Sequence, residues 1–482
     1  MTSTPSGPLS PSRQGREPSP LDELGRVHLI GVAGAGMSAL TRMLCSRGVT
    51  VTGSELRESR VVASLRALGA SIHLGQTPDS LPDTDTVIVS TAITDSNPEL
   101  VTARERGVRV LHRAEALAYC MRGYQSVVVA GTHGKTTTTS MAAVTLQHCG
   151  VDPSFYIGAQ LNETGTNAHA GTGRVFLAES DESDGSFLVL EPHVAVVTNV
   201  DADHLDYWGD APAVEEGFRR FASRVPQHGV LIACADDDGA MRVAKSASAA
   251  GRRVLTYGTG EDADMRITDV ALDVSGAWFQ PVLKGRRLPD VSLQVLGMHN
   301  VLNAAAALSV ALELNVGAPQ AIEGLALYSG ARRRFEFKGE FNGVRLYDDY
   351  AHHHTELRAT LTAARQIANG GRLVVAFQPL RYTRTARFHR ELGQALGLAD
   401  DVLVMEVYGS NEEPIPGATG ALVADAVPLQ REHVTFEPSF AAVPEWLVSR
   451  ARPGDLILTL GDGIVTTLGP EIIERLSMQG SA

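Results

Sequence analysis

The run Val127-Val128-Val129-Ala130-Gly131-Thr132-His133-Gly134-Lys135-Thr136-Thr137-Thr138-Thr139 has the residue types that handle phosphate. An apolar stretch leads into a glycine turn, and Lys-Thr then opens a helix-forming segment. Glycines at 131 and 134 let backbone NH groups turn toward phosphate oxygens. The Lys135 ammonium can neutralise the β- and γ-phosphates, and the Thr136 hydroxyl can ligate magnesium. Val129 stands where a strict Walker loop has its first glycine. The pattern predicts ATP and Mg2+ held by Gly131, Thr132, His133, Gly134, Lys135, Thr136 and Thr137.

Two acidic segments follow. Glu179-Ser180-Asp181-Glu182-Ser183-Asp184 and Asn199-Val200-Asp201-Ala202-Asp203-His204 each end an apolar, strand-like run. Parallel strands deliver such ends to one edge of a sheet, where ligands bind. Hard carboxylate oxygens suit magnesium, and a second ion accepts an imidazole. Thr136, Glu179 and His204 are therefore the expected metal ligands. The alternative is a set of solvated turn residues.

Nearer the N-terminus, Gly31-Val32-Ala33-Gly34-Ala35-Gly36 joins a strand to a helix, and Glu55 follows the next strand. Such a turn lets NH groups approach a diphosphate, with the acid near a ribose hydroxyl. The spacing G-x-x-G-x-G departs from the dinucleotide fingerprint G-x-G-x-x-G, which speaks against a nicotinamide dehydrogenase. A tight turn without a ligand is the plain alternative.

Three polar clusters lie further on. Ala331-Arg332-Arg333-Arg334-Phe335-Glu336 could aim a guanidinium at phosphate, although Arg333 reads better as a solvated charge. Asp348-Asp349-Tyr350-Ala351-His352-His353-His354-Thr355-Glu356 has adjacent histidines, but neighbours on one chain point apart and rarely chelate one ion together. Arg381 and Arg384, three apart after Phe377-Gln378-Pro379-Leu380, suit a carboxylate or phosphate.

The elements that must position these residues alternate between strand and helix. Strands are expected at 26–32, 49–52, 86–89 and 108–111, then at 126–130, 175–178, 194–198, 230–234 and 254–257. An antiparallel insert is expected over 265–296 and a helix over 299–314. Further strands are expected near 344–347, 372–377, 401–407 and 455–459, with helices at 355–368 and 385–396. Alternation of this kind means an α/β fold with parallel sheets. We expect a tail over 1–22, rich in Ser, Pro and Gly, that stays disordered. Three successive α/β domains then occupy 23–120, 121–331 and 332–482.

Composition sets outer limits. The 482 residues carry a net charge of −13, which argues against nucleic-acid binding, and no apolar run is long enough to span a membrane. Four cysteines form no CxxC pair, so a reduced, cytoplasmic protein is expected.

Together these segments resemble the Mur ligase family from about residue 26 to 476. The resemblance rests on Gly34-Ala35-Gly36-Met37-Ser38, the 131–139 loop, ESDESDGSF at 179–187, NVDADHLD at 199–206, Arg332 to Glu336 and Asp348 to His353. It implies a Rossmann-like UDP-binding domain, a P-loop-type central ATPase and a Rossmann-like C-terminal domain. It implies ATP-dependent amide formation between the lactyl carboxylate of UDP-N-acetylmuramate and L-alanine, by a monomer or weak homodimer. By motif match, Gly34, Ala35, Gly36, Met37, Ser38 and Glu55 meet the UDP-sugar. Lys135, His204, His352 and Arg384 serve catalysis. His299, Asn300 and Asn303 border adenine, Asp349 contacts ribose, and Arg332 joins the nucleotide site. Tyr350, His352, Arg381 and Arg384 lie near the acceptor carboxylate and the incoming amino acid. Residues 201–230 contain no lysine, unlike sister branches that carbamylate one there.

The chain departs from the family pattern in four places. His354 replaces a proline, Leu380 a histidine and Ser180 an alanine, and Gly461-Asp462-Gly463-Ile464 replaces Gly-Ala-Gly-Asp. Leucine cannot hydrogen-bond as histidine does. Two other readings therefore stand beside alanine ligation: a related ligase with another amino acid or acceptor, and a catalytically silent sugar-nucleotide-binding protein.

Overall fold

The computed structural model describes residues 19–410 and 412–479. Most of the expected tail lies outside that range, but its last residues are ordered. One helical turn, Pro20–Leu24, is capped by Ser19 and buries Leu21 and Leu24. An apolar pair three apart outweighs the Pro- and Ser-rich surroundings here.

The described chain divides into two compact units, residues up to 33 with 44–122, and 34–43 with 123 onward. The boundary expected near 331 separates two sheets within the second unit.

The first unit is built on a parallel five-stranded sheet. Its order is Ser71–Leu74, Val51–Glu55, Val27–Ile30, Thr86–Val89, Arg109–His112. The order reverses beside the central strand Val27–Ile30, the position where such sheets open a ligand crevice. Gly31 leaves that strand at φ +77°, a left-handed turn that suits glycine. Ser54 O accepts from the NH groups of Gly31 and Val32, and the Ser54 hydroxyl donates to buried Glu99 at 2.5 Å.

The second unit holds two sheets. In the larger, Ser154–Tyr156, Val175–Glu179, Gln125–Ala130, Val194–Val197, Val230–Cys234 and Val254–Gly258 run side by side in parallel. Their apolar, β-branched runs are buried on both faces, as helix-covered parallel strands must be. The expected insert is present: Met265–Asp273, Gly276–Leu283 and Val291–Leu293 pair antiparallel. The last sheet runs Glu336–Phe341, Val344–Asp349, Leu456–Leu460, Leu373–Phe377, Asp401–Met405, Val434–Glu437, parallel except for its first hairpin.

Strand periodicity splits the core of this last sheet. Leu373, Val375 and Phe377 join one apolar cluster with Leu357, Leu361 and Leu392, while Val374 and Ala376 join the other with Leu447 and Ile472. Successive side chains point to opposite faces, so one strand anchors helices on both. Each fully buried Leu, Val or Phe contributes about 1.5–3 kcal/mol of transfer free energy.

Candidate active site

The strand Gln125–Ala130 lies between Val175–Glu179 and Val194–Val197, parallel to both, so the three C-terminal ends meet at one edge. Gly131 and Gly134 make the turn at φ +139° and +80°. A Cβ at Gly131 would lie 3.0 Å from the Thr198 nitrogen, and one at Gly134 would lie 2.6 Å from Asn303 Oδ1. The chain beyond Val197 holds the loop in shape. Asn199 Oδ1 accepts from the His133 NH at 2.8 Å, and Thr198 Oγ1 donates to His133 O at 2.6 Å.

The helix Lys135–His148 starts directly from this turn. Lys135 Nζ donates to Gly131 O (2.7 Å), Thr132 O (3.0 Å) and Glu182 Oε2 (2.7 Å). Burial disfavours its charge, but Glu182, Asp181 and Glu179 outweigh burial and hold it protonated. Burial raises Glu182 to about 7 against the pull of Lys135.

Thr136 Oγ1 donates to Glu179 Oε1 at 2.7 Å, and Glu179 Oε2 accepts from the Gly158 NH at 2.6 Å. The structure thus joins two of the expected metal ligands. The third, His204, stands at φ +52° just ahead of the short helix Leu205–Trp208, and its Nε2 lies 3.8 Å from Glu182 Oε1. Donor atoms of Asp181, Glu182 and His204 fall within 4.8 Å of one another. Glu182 Oε1 and His204 Nδ1 are buried without hydrogen-bond partners. A carboxylate oxygen left in this state costs on the order of 1–3 kcal/mol or more, and a cation would satisfy it. The donor set fits magnesium. Glu182 was not singled out from the sequence, since the acidic run gives no sign of which member turns inward.

A cavity of about 440 Å³ opens beside the loop, lined by His133, Gly134, Thr137, His299, Asn300, Asn303, Arg334 and Asp349 among others. His299, Asn300 and Asn303 come from the helix Met298–Glu313. Burial lowers His299 to about 4, so its ring is neutral and apolar enough to face a base. Asn303 Oδ1 accepts from Thr138 Oγ1 at 3.2 Å, which ties that helix to the one after the loop. Asp349 ends the strand Val344–Asp349; its oxygens accept from the NH groups of Phe335 (2.6 Å) and Ala351 (2.8 Å), and burial raises it to about 6.

The arginine triplet is used differently from expectation. Arg332 is exposed and Arg334 is the member turned inward, its guanidinium 3.3 Å from Thr136 Oγ1 and over the Tyr350 ring. Arg333 is not a solvated charge. It donates to Gly461 O and Asp462 O and lies 3.5 Å from Asp348 and from Asp462. Backbone carbonyls and acids distant in sequence claim it, and no local spacing announces them.

The third-sheet residues reach the loop edge. Arg384 is buried against Asp203 at 2.7 and 2.9 Å, and Arg381 donates to Asp206 at 2.8 Å. Arg384 and His204 hold Asp203 ionised well below the usual carboxylate range, against the cost of burial. His352 Nδ1 lies 3.0 Å from Tyr350 O, and burial lowers its pKa. His133 bridges Asp201 and Glu356, each at 3.2 Å; burial opposes its charge, but these two acids push it up to about 9.

Three departures from the family pattern cluster nearby. Leu380 is buried, Asp462 takes the Tyr350 hydroxyl, and Ile464 is exposed. His354 opens the helix His354–Ala368 with its ring stacked on Phe388. In the first unit, Glu55 accepts from the Ala33 NH at 2.8 Å and so braces the glycine turn. In the 34–43 segment of the second unit, Ser38 Oγ donates to Ala35 O at 3.0 Å, and Met37 is buried.

Comparison with known proteins assigns a family to this arrangement. Residues 26–125 match the family model described as the Mur ligase family catalytic domain, 129–311 the Mur ligase middle domain, and 333–463 the Mur ligase glutamate ligase domain. A UDP-N-acetylmuramate–L-alanine ligase of Acidothermus cellulolyticus is 55 % identical over 461 residues, covering 95 % of this chain and 97 % of the relative. One from Saccharopolyspora erythraea is 53 % identical over 465 residues, 95 % of each. The crystal structure of a UDP-N-acetylmuramate–alanine ligase from Thermotoga maritima superposes with a TM-score of 0.80 at 27 % identity, over 95 % of this chain and 100 % of that one. A murein peptide ligase from Psychrobacter arcticus shares the fold, with a TM-score of 0.70 at 24 % identity over 94 % and 99 % of the two chains. An α/β molecule with a glycine loop, a buried lysine and inward acids at one sheet edge thus matches this family along nearly all its length, and the chain belongs to the Mur ligase family of ATP-dependent ligases.

Proposed function

We propose that this protein joins L-alanine to the lactyl carboxylate of UDP-N-acetylmuramate, using ATP, in the synthesis of peptidoglycan precursors. The observation that carries the reading is the meeting of Lys135, Thr136, Glu179, Glu182 and His204 at the loop edge, beside a cavity lined by His299, Asn300, Asn303 and Asp349.

A carboxylate is a poor acyl donor until one oxygen can leave as phosphate. Attack of the carboxylate oxygen on the γ-phosphorus breaks the bond to the β-phosphate bridge and releases ADP. The alanine amine, its ammonium proton lost to solvent, then attacks the acyl-phosphate carbonyl, and the second nitrogen proton leaves with the departing phosphate. The tetrahedral adduct expels phosphate and leaves an amide. Phosphoryl transfer depends mainly on positioning and on cations. The glycine loop supplies NH donors, and Lys135 supplies a fixed positive charge. Thr136 and Glu179, with His204 beside Glu182, would hold Mg2+, which lends further charge to the phosphates. His299, Asn300 and Asn303 border the base, and Asp349 receives the ribose. Arg334, rather than Arg332, stands by the phosphates. Tyr350, His352, Arg381 and Arg384 orient the acceptor and the amino acid. In the first unit, Glu55 with the turn it braces at Ala33 is read as a contact of the nucleotide sugar. The same reading takes the protein as cytoplasmic, and as a monomer or weak dimer.

A second reading, another incoming amino acid, draws on Asp462, which takes the Tyr350 hydroxyl, and on buried Leu380, which offers no hydrogen bond where the family has a histidine. One experiment decides. The chain is incubated with ATP, magnesium and UDP-N-acetylmuramate carrying labelled carboxylate oxygen, across the twenty amino acids. Alanine-dependent release of labelled phosphate supports the first reading, and release with a different amino acid supports the second. Turnover with no label in phosphate would defeat acyl-phosphate chemistry altogether.

A further inference from the structure

A second group of metal-type donors stands apart from the Asp181, Glu182 and His204 cluster. It joins His133 of the phosphate loop, Asp201 beyond the strand Val194–Val197, and His353 at the start of the helix His354–Ala368. His133 Nε2 lies 3.2 Å from Asp201 Oδ2, and His353 Nδ1 lies 3.7 Å from the same oxygen. All three donor atoms fall within 4.8 Å of one another. Zinc–ligand bonds of about 2.0–2.1 Å set tetrahedral ligand-to-ligand separations of about 3.3 Å. Two of the edges are therefore already close to that value.

The surroundings are those of a ligand set. Glu356 sits 3.2 Å from His133 Nδ1, which orients the ring so that Nε2 faces the other donors. A carboxylate behind a ligating imidazole is the usual outer support at zinc sites. Thr355 Oγ1 donates to Asp201 Oδ2 at 2.8 Å and fixes that carboxylate. His353 is fully buried, stacked on the His133 ring with centroids 5.0 Å apart, and its Nε2 has no hydrogen-bond partner. The nitrogen offered to the site is Nδ1, 3.7 Å from Asp201 Oδ2. His354 Nδ1 lies 3.3 Å from His353 Nδ1 but is not among the three converging donors.

We propose that His133, Asp201 and His353 form a transition-metal site, suited to zinc or an ion of similar preference, that clips the phosphate loop to the helix His354–Ala368. Metal binding displaces the His133 Nε2 proton to solvent; the two imidazoles and one carboxylate then select borderline first-row ions over magnesium, which prefers oxygen. His133, Asp201, Thr355 and Glu356 also line the nucleotide cavity, so a bound ion acts on nucleotide access. Adjacent histidines do not chelate together here. His353 instead gains partners from two segments far away in sequence.

The test is titration of the full chain, without nucleotide, with Co2+ read by its visible absorption. Cobalt bound by imidazole at four-coordinate geometry absorbs far more strongly than the aqueous ion. We expect one such ion per chain, displaced by Zn2+. His353→Gln should weaken binding at least about tenfold, Thr355→Val about tenfold, and His204→Gln should leave it unchanged. Circular dichroism checks the fold of each variant, and Asp201→Asn decides if His353→Gln fails to fold. No absorbing complex, or one that survives both His353→Gln and Asp201→Asn, overturns the proposal. Loss in His204→Gln also overturns it, since the ion would then sit at the other cluster.

Discussion

At the scale of single residues, the chemistry depends on charges held where burial would otherwise remove them. Lys135 keeps its proton because three nearby carboxylates outweigh desolvation, and Glu182 absorbs part of the cost with a pKa near 7. Lys135→Ala should therefore leave a folded protein, since Glu182 can take up a proton once its partner is gone. Turnover should fall at least about a thousandfold, as for other losses of a phosphate-stabilising cation. Steady-state phosphate release with circular dichroism as control checks both halves. His133 gives a pH signature. Its folded pKa of about 9 lies above the ordinary imidazole value of 6.5, so the stability it contributes is complete below 6.5 and is lost as pH rises through 9. Thermal unfolding from pH 6.5 to 9.5 should show a falling midpoint that flattens in His133→Gln; parallel slopes would contradict the assignment.

At the scale of elements, position on the sheet matters more than propensity. Three neighbouring parallel strands end at the same edge, so a glycine loop, an acidic run and a histidine from separate stretches become one site. Gly131 is the tightest point, because its φ of +139° and the approach of Thr198 both exclude a side chain. Gly131→Ala should cost on the order of 1–3 kcal/mol from backbone strain and should abolish ATP binding. Denaturant unfolding and nucleotide titration measure the two effects. The strands missing from the expected set for the last sheet, Glu336–Phe341 and Val434–Glu437, are both edge strands. Edges carry charged residues such as Lys338 and Glu340, and this blurs the apolar alternation by which a strand is read.

At the scale of the whole molecule, the second unit is one body because polar contacts join its two sheets. Arg384 with Asp203, Arg381 with Asp206, His133 with Glu356 and Thr355 with Asp201 all cross between them. The Arg384–Asp203 pair is buried, so removing one partner strands a charge. Arg384→Met should destabilise by about 3–5 kcal/mol. Hydrogen exchange should rise together in 199–206 and in 382–396, which reports on coupling between the sheets. Faster exchange confined to one segment would show that the pair is local.

The amino-acid sequence alone determined the α/β class and the glycine turn between strand and helix at 131–134, because these rest on local periodicity and on glycine and lysine spacing next to a strand; the pairing of Thr136 with Glu179 came from motif resemblance. Motif resemblance rather than pattern pointed to His299, Asn300, Asn303 and Asp349, all of which line the cavity. Tertiary structure decided which of several like residues turns inward. Arg334 rather than Arg332 meets Thr136, Glu182 joins His204, and Arg333 is claimed by Gly461 and Asp462. Adjacent residues of one charge look alike in sequence. What separates them is the direction of each side chain and the partner that arrives from a distant strand, and neither exists until the chain has folded.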